Sequence, residues 1–503
     1  MDSGLVMATL AFPAWLRITH YINLLFIGLM IRSGIQILGA HPRLYFNDAC
    51  KPGSEWIKFT RKHPPANKLY TSMDDEVPVS SWLALPGGDN LGLGRHWHFF
   101  TLIFWILNGA IYIILLFATG EWTRLIPTSW TIFPQAWHTL LIYLSFHIPP
   151  LSDFRPYDPL QQLAYAAVVF LLGPFQILTG AAMSPAIEAR FPWYIKIFGG
   201  RQSARSLHFL GLLAFVAFVI VHTALVLIVR FPDNIRHIVF GTLNSSFEGA
   251  VIIAIIALLF VVAVYVWSSL YTKRHRRGMQ HALGTLVDPA RKALLHREVS
   301  KQHYKKITPY FWVNGRPPES EEFRRLAANN FADWRLEVSG LVVSSLCLSL
   351  DDLRKLPKQT QVTMHNCIQG WTGVAEWGGV CLSEVLDLCG AKPEAQYLVL
   401  TSYQHGKESY PQGPEESLER PFYEVIDMTL ARHPQTILAY EMNGRPLPLE
   451  HGAPLRLRVE TQLGYKMVKY LRSIELVADY KDFGLGQGGF REDYQYYGTS
   501  AEI

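Results

Sequence analysis

Up to about Leu270 the chain returns repeatedly to runs of near twenty apolar residues, whereas beyond Lys306 apolar and polar positions alternate over short stretches. About twenty apolar residues is what a helix needs to cross the hydrocarbon core of a bilayer. Alternation with period two marks a half-buried strand. The first pattern predicts five spans, at about Trp15–Leu38, His98–Thr119, Leu163–Met183, Arg205–Arg230 and Ala250–Tyr271. The second predicts strands at WRLEVSGLVV, TQVTMHNC, QYLVLTSY, LRLRVE and RSIELVA, interrupted by short helices such as CLSEVLDLC, an α+β arrangement. The expected organisation is multidomain: an all-α transmembrane bundle over residues 1–270, a basic, partly amphipathic linker near the headgroups over 271–305, and an α+β domain over 306–503.

The fourth run is almost free of interior polar residues except His208 and His222. Fourteen residues apart, they lie within about 40° of one helical face and roughly 21 Å from each other along the axis, one in each leaflet. An ionisable residue inside a span is costly enough to point to function, and a neutral imidazole is a common axial ligand of haem iron. The competing reading is a hydrogen bond to a neighbouring helix or a place at the lipid interface. Because successive spans alternate in direction, His20 near the start of the first span is level with His222. By the same argument His98 at the start of the second is level with His208. Two level pairs predict two haem sites, with His20, His98, His208 and His222 as metal ligands.

These residues resemble those of the di-haem cytochrome b subunits that serve nickel-iron hydrogenase, formate dehydrogenase and thiosulfate reductase. The likeness runs from about Ala14 to Arg230 and rests on LRITHY with a following SG, on GRHWHFF, on PLQQLAYAAVVFLLGPFQILTG and on the two histidines of the fourth span. It implies a four-helix bundle with two b haems, takes His98 rather than His96 as ligand, and implies exchange with quinone or quinol. The fifth span departs from the four-helix pattern and is read as a tether. Gly39 to Gly94 is polar and rich in Pro, Lys and aromatic residues, too long for a turn, and is either a docking surface for the soluble domain or a disordered loop. Leu125 to Pro150, with Trp130, Phe133, Trp137 and Phe146, suggests a segment lying in the membrane interface.

Net charge, +5 over 503 residues, is modest, and the basic residues gather beside the spans, so lipid is an expected partner and nucleic acid is not. Five cysteines, Cys50, Cys347, Cys367, Cys381 and Cys389, form no CxxC pair or metal-finger spacing. No basic region precedes the first apolar run, and no cleavage site or twin-arginine signal is apparent, so that span is expected to be retained in a multi-pass protein of the cytoplasmic membrane. Fifteen Lys and Arg flank the spans on the soluble-domain side against five, including Arg155, on the other. The positive-inside rule then places the soluble domain in the cytoplasm. The cytochrome family, which usually keeps its N-terminus in the cytoplasm, implies the periplasmic alternative.

In the soluble domain the informative stretch is TQVTMHNCIQGWTGVAEWGGVCL, residues 360–382. A lone cysteine closing a strand is either a soft thiolate ligand or a buried small residue. The CxxGW and W-x-G pattern resembles the sulfite-oxidase family of molybdenum enzymes, in particular its methionine-sulfoxide reductase branch. That resemblance implies a molybdenum-molybdopterin cofactor, with Cys367 the metal ligand and catalytic residue, while Cys347, Cys381 and Cys389 match no ligand position and are read as packing residues. A second stretch, LAYEMNGRPLPLEHGAPLRLRVETQLGYKMVKYLRSIEL from Leu438, is specific to the same family. A pterin with a terminal phosphate needs cations and backbone N–H donors, which His451, Arg456 and the Met467, Val468 and Lys469 segment would supply. Asn314 in VNGRPP and Ser402 in LTSYQHG are implied as further hydrogen-bonding partners. His365, Gln369 and Trp371 flank Cys367 and are candidates to line the pocket, although strand alternation sends some of them into the core.

Sulfite-oxidising members usually carry an arginine shortly after the ligand cysteine, and CIQGWTGVAEW has none. The expected activity is therefore a molybdenum oxidoreductase that links the quinone pool, through two b haems, to reduction of a small S-oxide or N-oxide. Two alternatives use the same parts: a quinone-reducing oxidase of a sulfur-containing substrate, and a haem electron carrier with a non-catalytic docking domain. Each is compatible with a monomer or a homo-oligomer.

Overall fold

The computed structural model describes residues 11–65, 67–150, 157–295, 302–498 and 501–503. Arg155 and the stretch 296–301 of the basic segment after the fifth span lie outside the described residues. Among these residues five helices are long and apolar enough to cross a membrane: α1 (Ala14–Ala40), α2 (Leu91–Ala118) and, after a shorter helix α3 (Ile132–Leu144), α4 (Pro159–Ala182), α5 (Arg201–Ile228) and α6 (Phe247–Arg274). Only 6–22% of their apolar windows is buried by the protein, so most of that surface needs lipid around it. The chain is a membrane protein.

The helices coincide with the expected spans to within a turn, except α2, which begins at Leu91 rather than His98. Gly92 and Gly94 read as loop residues in the sequence, but here they serve close packing. A Cβ on Gly92 would collide with the Gln495 carbonyl, and one on Gly94 with the Gln36 side chain. In α4, Val168–Leu172 widens into a π-helical turn just before Gly173 and Pro174. Pro174 has no N–H for the regular ladder, and the wider turn absorbs the misfit.

The two compact units are distinct. The first comprises the chain up to Ser33, Trp97–Ala181 and Leu207–Lys273. Within it α6 is more than a tether. The Tyr265 hydroxyl donates to the carbonyls of Leu24 (2.9 Å) and Leu25 (3.1 Å), and Arg32 reaches back to the Tyr265 carbonyl (2.9 Å) and the Ser269 hydroxyl (2.6 Å). Trp97 Nε1 donates to Thr272 Oγ1 at 3.0 Å. Tyr265 approaches so closely that a Cβ on Gly28 would overlap its ring. Gly28→Val is accordingly expected to destabilise the bundle by ~1–3 kcal/mol, read as a lowered thermal midpoint in detergent; an unchanged midpoint would contradict the packing. The helix α3 and its flanks expose Trp130, Phe133, Trp137 and Phe146, as a segment at a lipid interface would.

The second unit comprises Gly34–His96, Ala182–Ser206 and Arg274–Ile503. The described residues between Gly39 and Gly94 belong to it. A short ladder there, β1 (Arg43–Leu44) against β2 (Ile57–Lys58), sets Arg43 between two carboxylates, Asp75 at 2.9 Å and Glu55 at 2.6 Å. All three are buried, and the Tyr70 hydroxyl also donates to Asp75. Asp75→Ala leaves the buried guanidinium with half its counter-charge and is expected to cost ~3–5 kcal/mol, measurable as loss of folded protein in a denaturant or proteolysis series.

Two five-stranded sheets form the frame of this unit. Strands β3 (Leu336–Gly340), β4 (Leu346–Leu348), β7 (Tyr397–His405), β8 (Pro421–Asp427) and β12 (Leu471–Val477) make one, in the order β4-β3-β12-β7-β8. Strands β5 (Lys358–Asn366), β6 (Thr372–Cys381), β9 (Thr436–Met442), β10 (Arg445–Pro446) and β11 (Arg456–Val459) make the other, in the order β10-β9-β6-β5 with β11 also on β9. A buried cluster including Trp334, Leu398, Leu438, Val468 and Ile474 fills the core. After α6 a further helix, α7 (Arg276–Leu295), is fastened to the C-terminal segment by Arg277, which donates to the carbonyls of Glu492 and Asp493, and by Gln280, which donates to that of Tyr497.

Candidate functional site

Two groups of residues stand out, one in each unit. In the first unit all four predicted histidines lie on the spans: His20 on α1, His98 on α2, and His208 and His222 on α5. The rings of His20 and His222 face each other with centroids 6.1 Å apart and planes at 74°. Hydroxyls stand against the Nδ1 atoms of the other three. Ser33 Oγ lies 3.0 Å from His98, Thr179 Oγ1 lies 3.1 Å from His208, and the Tyr165 hydroxyl lies 3.2 Å from His222. A partner on Nδ1 orients an imidazole for coordination through Nε2, the arrangement seen where histidine holds a metal. Gly180 permits the approach of His208, since a Cβ there would sit 3.3 Å from the ring. These features fit bis-imidazole ligation of haem.

In the second unit β5 ends at Asn366, and the next five residues form a tight turn into β6. The Cys367 N–H donates to the Trp371 carbonyl (3.1 Å), the Gly370 N–H donates to the Cys367 carbonyl (3.1 Å), and Gly370 takes φ +117°, which suits glycine. Cys367 is buried at the apex, with Asn314 Nδ2 at 3.8 Å and Gln369 Oε1 at 3.4 Å from its sulfur. Burial pushes the thiol up to about 12, partly countered by the Gln369 backbone N–H and by Arg491. A thiolate here therefore requires a cation against it, as a soft metal ion would be.

Beside the turn lies a cavity whose walls include Asn314, His365, Trp371, His451, Arg456, Met467, Lys469 and Arg491. The charge there is one-sided. Burial first, then Arg456 and Arg491, holds Lys469 well below its usual value. Burial and Arg458 bring Arg456 to about 9, and burial, Lys469 and Arg456 bring His451 to about 3. Arg456 is 3% exposed, and its Nε has no hydrogen-bond partner; the Asn314 Oδ1 is likewise unpartnered. Buried cations that depress one another fit a multiply charged anion such as the phosphate of a pterin cofactor.

Five of the predicted cofactor contacts, Asn314, His451, Arg456, Met467 and Lys469, thus share one cavity. Ser402 donates instead to the Lys469 carbonyl at 2.6 Å, and Val468 lies fully buried in the core cluster. Both place the Lys469 segment from behind. His365 stacks on Trp371 with centroids 5.1 Å apart and receives Arg458 Nη1 on Nδ1 at 3.0 Å. Sequence reasoning missed Arg491. It enters from the helix Phe490–Tyr494 near the C-terminus, far from Cys367 along the chain, so the site does contain an arginine although none follows the cysteine. The run GLGQGGF just ahead of it is the one hint of a tightly packed approach.

Gly39 to Gly94 also braces the segments that carry the site. Trp312 Nε1 donates to the Cys50 carbonyl (2.8 Å), the Thr372 hydroxyl to that of Asp48 (3.0 Å) and the Ser72 N–H to that of Val313 (2.8 Å). From the head of α5, Arg201 reaches the Asn366 side chain (2.8 Å) and Gln202 the Gly370 carbonyl (2.8 Å). Both ends of the Cys367 turn are held.

Residues 11–241 match the family model described as prokaryotic cytochrome b561, and residues 325–483 match that of the oxidoreductase molybdopterin binding domain. The chain thus joins a cytochrome b561 domain to a molybdopterin-binding domain. It is similar to the YedZ1 protein of Azospira oryzae, provisionally named as a protein-methionine-sulfoxide reductase subunit, at 36% identity over 34% of this chain and 57% of that one. It is also similar to the protein-methionine-sulfoxide reductase catalytic subunits MsrP of Xanthomonas campestris pv. campestris (34% identity, 29% of this chain, 45% of that one) and Campylobacter jejuni (29% identity, 31% and 52%). The chain spans about half the length of these relatives.

Proposed function

We propose that the protein is a membrane-bound oxidoreductase that takes electrons from quinol and reduces a small S-oxide, with methionine sulfoxide the leading candidate. The single observation carrying this reading is the buried thiol of Cys367 beside an uncompensated cation cluster, on a chain that also carries paired histidines in its spans. His20 with His222, and His98 with His208, would hold two b haems. Cys367 would ligate molybdenum, while His451, Arg456 and Lys469 bind the pterin phosphate and Asn314 and the backbone around Met467 bind its polar edge. When bound, the haems supply one-electron carriers and the molybdenum-molybdopterin supplies oxygen-atom transfer. The chain's own part is positional. Asn314 Nδ2 and the Gln369 backbone N–H direct donors at the sulfur, and the stacked His365 and Trp371, with Phe311 packed at an angle to both, make a wall that keeps water out. The aromatic wall favours a neutral or zwitterionic substrate, and Arg491 offers its guanidinium to a substrate carboxylate.

We place the protein in the cytoplasmic membrane, with residues after α6 on the cytoplasmic side by the excess of basic residues there. A reporter enzyme fused at the C-terminus that is active only outside the cytoplasm would reverse that orientation. The activity is tested by metal analysis and stopped-flow spectroscopy. One molybdenum and two haems per chain, with quinol reducing the haem bands under anaerobic conditions and methionine sulfoxide restoring them, supports the reading. Haems without molybdenum would make the protein an electron carrier.

A further inference from the structure

Gln369 does more than touch the Cys367 sulfur. Its Oε1 accepts from the Cys367 thiol (3.4 Å) and from Trp371 Nε1 (3.1 Å); the Trp371 bond, which metal ligation of the sulfur would leave in place, orients the amide so that Nε2 donates to the Glu76 carboxylate. One amide group therefore separates a carboxyl from the candidate metal ligand, and that carboxyl belongs to the segment between α1 and α2. Glu76 borders a second cavity of about 220 Å³, whose walls also include Asp89, Lys62, Gln36 and Gln412. A space of that size holds several waters. Asp89 faces the same space with its Oδ2 buried and without a hydrogen-bond partner.

We propose that Glu76 is the proton donor of the molybdenum site, refilled from water in this cavity through Asp89. The proposal rests on the S-oxide reading. Reduction of a sulfoxide to a thioether consumes two electrons, here from quinol, and two protons: the S–O bond breaks, the sulfur is reduced, and the oxygen leaves as water. Glu76 delivers one of those protons at a time and takes the next from the cavity. Such a donor must hold its proton near neutral pH. Burial first, and then the negative charge of Asp89, raises Glu76 to about 8, against the opposing pull of the Gln369 amide, Arg491 and Lys62, whose Nζ donates to the Glu76 carbonyl at 2.7 Å. Asp89 is also raised by burial, with the Tyr410 hydroxyl, Arg491 and Arg276 pulling the other way. The Tyr410 and Tyr497 hydroxyls and the Cys367 thiol also face the pair and feel its negative charge.

The test uses the full-length holoprotein and Glu76→Gln and Glu76→Asp variants. In the native protein the rate at which methionine sulfoxide reoxidises the haems is expected to fall as pH rises through about 8, where Glu76 loses its proton. In Glu76→Gln it is expected to drop by ~10²–10⁴-fold, to lose that limb and to lose its solvent isotope effect, with quinol reduction of the haems and molybdenum content unchanged. Glu76→Asp should regain part of the rate with the limb displaced. A native rate and pH profile in Glu76→Gln would overturn the proposal, as would a drop explained by lost molybdenum, which would make Glu76 a structural residue. Infrared spectroscopy reads the carboxyl independently of any substrate. A protonated-carboxyl C=O band at pH 7 that disappears in Glu76→Gln is expected, and its absence overturns the proposal even if S-oxide turnover stands. The band without turnover of any S-oxide would instead defeat the substrate reading and leave Glu76 as the proton store of the site.

Discussion

The Cys367→Ala protein is expected to keep haems that quinol still reduces, while reoxidation by methionine sulfoxide falls by more than ~10³-fold, over ~4 kcal/mol of transition-state stabilisation. The two half-reactions separate because the candidate haem ligands and the thiol sit on different elements: the spans α1, α2 and α5 for the first, the turn between β5 and β6 for the second. The turn should survive the substitution. It is closed by backbone hydrogen bonds at Cys367 and Gly370 and clasped from both sides by Arg201 and Gln202, none of which uses the sulfur. Alanine is also the side chain that adds least to a buried site. Stopped-flow haem spectra before and after addition of the sulfoxide check the expectation. Full reoxidation in the variant would remove Cys367 from the chemistry, and failure of quinol to reduce its haems would mean that the two half-reactions do not separate.

The second large effect concerns the histidines. Replacing either His20 or His222 by Leu should remove the same haem, halving the proposed content of two per chain, and the double variant should lose no more than either single one. That non-additivity is the mark of two ligands on one iron. The rings face each other at 6.1 Å, so removing one leaves the opposite imidazole to hold iron alone. His98→Leu and His208→Leu should together remove the other haem. Pyridine haemochrome content and the low-temperature α-band, read for all four single variants and the two paired doubles, decide the pairing. If His20 and His222 variants removed different haems, the pairing by depth would be wrong.

The membrane half was legible because its physics is one-dimensional. A bilayer demands a run of apolar residues of fixed length, and a histidine within such a run is conspicuous. Five spans and four ligand candidates could thus be read from the sequence, and the misplaced start of α2 has a specific cause: Gly92 and Gly94 look like loop residues until Gln495 and Gln36 are seen against them. The role of α6 was hidden for a related reason. Tyr265 and Arg32 look like ordinary interfacial residues, and their contacts exist only between helices far apart in sequence.

In the soluble half, the turn around Cys367 and the Leu438 stretch carried their own signatures, so Cys367, His451, Arg456 and Lys469 were nameable from the sequence as candidates. The walls around them were not. Arg491 comes from near the C-terminus and Glu76 from between two spans, and no local spacing links either to residue 367. The sequence by itself determined which segments enter the membrane and which side chains have chemistry to offer, because hydropathy, strand alternation and motif are properties of neighbours along the chain. Only the tertiary structure decided which of those side chains share a cavity and which carboxyl faces the thiol through one amide. Burial, charge compensation and hydrogen-bond reach depend on distances in space, and the chain order does not contain them.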